Sequence, residues 1–161
     1  MKMLIMAVLK RNNEINNMIT LPKASYIIID PCYVMPEDLY SQLCNALDFD
    51  ETNQKITIND RELAVLFTTH GDGYYRSNIK SDTLFGVDSG SIACVPLELC
   101  SAEMINSLDP NTFYMVNDYV ECVYNNGTLC FNDVEIYTDS DRDDNDDGYY
   151  EDDYHNQDSF F

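Results

Sequence analysis

At 161 residues and 45% hydrophobic content, the chain is long enough for one folded body with a real core. Twenty-nine acids against nine bases give a formal net charge of −20. Residues 1–80 hold ten acids and eight bases, whereas residues 81–161 hold nineteen acids and a single base, Arg142. That imbalance excludes nucleic acid as a ligand of the acidic half, which would repel phosphates instead of releasing their counterions, and it disfavours anionic membrane surfaces.

In chain order, the apolar run "MLIMAVL" is bounded by Lys2 and by Lys10-Arg11. It is too short to span a membrane and has no small-residue cleavage site, so a buried strand or short helix is expected. "ASYIIIDPCYVM" carries a β-rich run from Tyr26 to Ile29, stopped by Asp30-Pro31. "MPEDLYSQLCNALDF" predicts a helix: Pro36 suits its first turn, Glu37 and Asp38 complement the positive end of the dipole, and Leu39, Leu43, Ala46 and Leu47 form one apolar face. "KITIND" and "ELAVLFTTH" are expected strands, "GDGYYRSN" a turn or loop, and "TLFGVDSGSIACVPL" two short strands bent at Asp88-Ser89-Gly90. "PLELCSAEMINSL" suits a short helix. "NTFYMVNDYVECVYNNGTLCFNDVEIYT" is the clearest β segment, with Asn126-Gly127 as a two-residue hairpin turn. That turn places Val123 opposite Cys130 and Cys122 opposite Phe131.

The expected architecture is α+β: a mostly antiparallel sheet or partial barrel with one or two short helices, spanning residues 1–138. Apolar periodicity ends at Thr138, and residues 139–161 carry ten acids and one Arg, the composition of a solvated acidic tail.

The hairpin register sends Cys122 and Cys130 to opposite faces, so they cannot bridge. The six cysteines show no paired spacing, and only His70 and His155 are present to help bind zinc. Reduced thiols in a cytosolic protein, with no cofactor, are the expectation. Asp143, Asn145, Asp147 and Gly148 fit the first half of a calcium loop, D-x-N-x-D-G, but its twelfth position is Tyr154 instead of a bidentate Glu. Asp30, Asp72 and Asp88, with His70 and Cys32 nearby in sequence, admit an enzymatic reading in which the aspartates hold a metal and His70 is the base. The competing reading is turn chemistry, because each Asp neighbours Gly, Pro or Ser and its carboxylate can bond amides two residues on.

The segments "DPCYV", "GDGYY" and "FGVDSGSIACVP" resemble small uncharacterised proteins of tailed bacteriophages and bacteria, with a D-P, a G-D-G and a G-V-D-[AS]-G element, over residues 26–97. The resemblance implies a phage origin and no activity. In composition alone, the chain also resembles acidic phage inhibitors that imitate DNA. The expectation that follows is a non-enzymatic inhibitor acting on a basic, nucleic-acid-binding host protein in the cytoplasm. Its contacts would come from Asp109, Asp118, Glu121, Asp133 and Glu135 on the body and from Asp139, Asp141, Asp143, Asp144, Asp146, Asp147, Glu151, Asp152 and Asp153 after it. An alternative places recognition at the end: Phe160 and Phe161 behind a carboxylate run resemble the acidic tip of single-stranded-DNA-binding proteins, where a terminal Phe enters an apolar pocket.

Overall fold

The structure, a computed structural model, describes residues 18–79 and 84–139. The apolar run at residues 3–9 lies outside them, as do the calcium-loop-like segment and Phe160-Phe161.

Among the described residues, nine strands form one antiparallel sheet. They are β1 (Ile19–Ile29), β2 (Asn53–Ile58), β3 (Arg61–Phe67), β4 (Gly73–Ser77), β5 (Leu84–Val87), β6 (Ser91–Pro96), β7 (Tyr114–Asn125), β8 (Thr128–Phe131) and β9 (Val134–Tyr137). Their order across the sheet is β2-β3-β6-β1-β7-β8-β9-β4-β5, curled into a half-barrel. Two short helices, α1 (Glu37–Ala46) and α2 (Ala102–Asn106), complete the α+β fold.

The composition of each strand follows from how many of its faces are covered. In β1, Tyr26 and Ile28 point into the core inside the curl, while Ile27 and Ile29 belong to a second core on the outer side. β3 and β6 divide their residues the same way: Ala64, Leu66, Ile92 and Cys94 go inward, and Leu63, Val65, Ala93 and Val95 outward. Strands buried on both faces read as continuous apolar runs, which is why "YIII", "LAVL" and "IACV" show no alternation. The helices cover that outer core. Leu43 of α1 is buried, with Leu39, Tyr40 and Leu47 packed beside it, whereas Ala46, expected on the apolar face, is exposed.

Among the described residues, the second half of the sheet is covered on one face only. Val120, Cys122, Leu129, Phe131, Val134 and Ile136 alternate into the inner core with Tyr75, Phe85 and Val87. Their neighbours Tyr119, Glu121 and Glu135 are exposed. Asp118, Glu121 and Glu135 therefore sit on strands whose outer face carries no second layer among the described residues, and Asp133 on the turn that joins β8 to β9.

Local signals explain the connections. Pro22 falls in β1 at a register shift between Leu21 and Ala24, where a missing N–H is tolerated, and its carbonyl accepts a hydrogen bond from the Tyr26 hydroxyl. Asn59 and Asp60 (φ 51° and 63°) close β2–β3, and Asn126 and Gly127 (φ 51° and 94°) close β7–β8, both with the left-handed backbone that a two-residue hairpin requires. The β7–β8 register pairs Val123 with Cys130 and Cys122 with Phe131, as the turn dictates.

One expectation needs correction. "GDGYYRSN" is not all loop, because Gly73–Ser77 is strand β4, paired with both β5 and β9. The Gly and Asp signals govern only the turn before it. Tyr75 then points into the core and Tyr74 stands 71% exposed, an alternation already present in the sequence. The Asn-Gly hairpin also acquires a third strand, β9, after a turn at Asn132-Asp133.

Candidate functional site

The segments "DPCYV", "GDGYY" and "FGVDSGSIACVP" converge at one end of the sheet. Asp30 leaves β1 with its carboxylate fully buried. Oδ1 accepts from Cys32 N at 2.9 Å and Ser89 Oγ at 2.7 Å; Oδ2 accepts from Asp88 N at 2.6 Å and Ser89 N at 2.8 Å. The Cys32 contact is the two-residues-on turn bond expected of an Asp before a turn. The Asp88 and Ser89 contacts form a nest of successive amides around the anion. Asp30 thereby ties the end of β1 to the β5–β6 bend. Thr68 donates from its hydroxyl to Gly71 O at 2.6 Å, and its amide donates to Gly90 O at 3.0 Å, drawing the loop between β3 and β4 to the same bend.

The other proposed catalytic groups are placed differently. Asp88 accepts a hydrogen bond from the Tyr33 hydroxyl, and Asp72 and His70 are exposed. Burial pushes the Cys32 thiol far above its ordinary range, reinforced by the adjacent Asp30 and then by Asp88 and Asp72. A thiol so disfavoured as thiolate is a poor nucleophile. Tyr33 is raised as well, first by burial and then by Asp88. Among the described residues, no three His, Cys, Asp or Glu side chains are grouped to hold a metal ion, and no helix is long and apolar enough to cross a membrane.

The body carboxylates expected to contact a partner, Asp109, Asp118, Glu121, Asp133 and Glu135, are all exposed, as is Asp139 after them. Asp109 lies apart, accepting from Asn111 N at 3.0 Å at the start of a 3-10 turn that precedes β7. Glu135 sits opposite Cys130, whose thiol is pushed up by burial and then by the Glu135 charge. Its Oε1 accepts from the Tyr137 hydroxyl at 3.1 Å. The ion pairs Lys55–Glu62 and Arg61–Glu98 gather around β2 and β3 and engage none of these carboxylates. Asp141 to Asp153 and the terminal Phe pair lie outside the described residues.

Asp118 and Asp133 do come together. They flank a groove of about 280 Å³ lined by Tyr114 to Asp118 on β7 and by Phe131 to Val134 around the β8–β9 turn. The groove exists because Asn132 ends the ladder between β7 and β8. Its amide N donates to Glu121 O at 2.9 Å, its Oδ1 accepts from Glu121 N at 2.8 Å, and its Nδ2 donates to Tyr119 O at 2.9 Å. The side chain thus replaces one further rung, after which the chain turns into β9. Sequence reading missed Tyr114, Met115 and Asn132. The first two are 38% and 46% exposed, and the available sign was large apolar residues beside Asn117-Asp118 in a strand with one covered face.

Compared with known protein families, curated proteins and solved structures, the chain matches none of them.

Proposed function

We propose that this protein acts by docking its acidic face on a basic, nucleic-acid-binding surface of another protein, with carboxylates standing where phosphates would. The supporting observation is the placement of its acids. Asp118, Glu121, Asp133 and Glu135 occupy the singly covered half of the sheet, exposed, and no Lys or Arg occurs between Lys80 and Arg142. A solubility requirement would be met by acids on either half of the chain. Segregating them creates a one-signed field that steers a cationic partner. With the phage-protein resemblance, the reading becomes inhibition of a host protein that handles nucleic acid.

The test is capture of partners from a bacterial lysate on the immobilised chain, followed by affinity measurement across salt. A captured basic protein should be displaced by duplex DNA, and its affinity should fall at least about ten-fold between about 50 mM and about 250 mM salt. The chain itself should bind neither DNA nor RNA tighter than about micromolar. Salt-insensitive binding would point to an apolar interface and remove the reading. A chain ending at Asp139, run alongside, separates body from tail: abolished binding would make Phe160, Phe161 and the preceding acids the recognition element.

A further inference from the structure

The groove beside β7 has a property that charge alone does not give. β7 pairs with β1 along most of its length, but with β8 only over Cys122–Asn125. Beyond the Asn132 cap, Tyr114 to Asp118 have no second strand partner among the described residues. Five residues of strand leave an open edge about 17 Å long. An open edge recruits extended peptide, whose main chain continues the hydrogen-bond ladder.

We propose that this edge receives an extended, arginine- or lysine-bearing segment of the partner, added in line with β8. The inference rests on the docking reading above and names its point of contact. Charge complementarity fixes the occupant, because Asp118 and Asp133 flank the groove. Among its mostly polar lining, exposed Met115 suits the aliphatic stem of a long basic side chain, and exposed Tyr114 is an aromatic partner for the cationic head. A second copy of this chain is the poorer occupant, because its own edge carries the same carboxylates.

The probe is a capped peptide of about eight residues alternating arginine and threonine, added to the full chain at low salt. A second peptide has the same sequence but N-methyl groups on alternate residues, which preserve charge and block the ladder. The unmodified peptide should shift the backbone amide NMR signals of Tyr114 to Asp118 and bind at least about ten-fold more tightly than the methylated one. Asp118→Asn with Asp133→Asn should weaken it by a similar factor, while Glu51→Gln, exposed before β2 at the far edge of the sheet from β7, should change it about two-fold or less. Equal binding of both peptides, with Glu51→Gln as damaging as the groove pair, would mean adsorption by charge alone. That result would overturn the strand-addition site and spare the docking reading. If neither peptide binds at low salt, both the site and the docking reading are overturned. Amide shifts at Tyr114 to Asp118 that follow protein concentration without peptide would assign the edge to self-association, again overturning the proposal.

Discussion

Replacing Asp30 with alanine is expected to remove about 3–5 kcal/mol of stability, enough to lower the melting temperature by at least about 10 °C or to abolish the cooperative transition. The magnitude follows from what the substitution strands. Three backbone amides, from Cys32, Asp88 and Ser89, lose their acceptor together with the Ser89 hydroxyl, in a place where Asp30 is fully buried. Buried donors left without partners forfeit their full desolvation cost, not merely the net value of a hydrogen bond. Asp72→Asn, on an exposed side chain, should shift the melt by less than about 1 kcal/mol. Thermal melts of the two variants followed by circular dichroism check this. A fully cooperative Asp30→Ala protein melting within a few degrees of the parent would sink the staple and return Asp30 to the list of catalytic candidates.

Gly127→Ala should cost about 2–4 kcal/mol, from two separate causes. At φ 94°, any residue with a Cβ is strained. The added methyl would also lie 2.3 Å from the Asp139 Cβ and 2.7 Å from Thr69 Oγ1, well inside contact distance. The neighbours cannot easily retreat. Buried Thr138 donates its hydroxyl and amide to Gly127 O and accepts from Thr69 N at 3.0 Å, so the β7–β8 turn, the end of β9 and the loop after β3 move only together. Chemical denaturation with an unchanged m-value is the expected signature. A loss below about 0.5 kcal/mol would show that this corner yields.

Much of this architecture was legible in the residues because the relevant signals are local. Two-sided burial makes Tyr26 to Ile29 an unbroken apolar run, and Asn126-Gly127 fixes a hairpin register by turn geometry alone. β4 was obscured because Gly71, Asp72 and Gly73 announce a turn and only Tyr74-Tyr75-Arg76 announces a strand. The Asp30 staple could be read halfway. Its turn bond to Cys32 is encoded two residues on, but its partners at positions 88 and 89 lie 58 and 59 residues away, and no spacing rule reaches that far. The groove was invisible because it arises from a pairing that stops: Asn132 must first be seen to cap β7 before the edge beyond it becomes a surface.

That unfinished edge also bears on how the protein behaves in concentrated solution. Exposed strand edges invite pairing between copies, and proteins commonly guard them with charge. Here the guard is electrostatic throughout: Asp118 and Asp133 flank the edge, on a chain of net charge −20 with pI ≈ 4.1. Acidification toward that pI removes the net charge that keeps copies apart. Colloidal stability should therefore fail on the acid side before the native sheet does, with light scattering rising while the circular dichroism signal is still intact. Loss of the signal ahead of scattering would mean that unfolding, and not the bare edge, sets the acid limit.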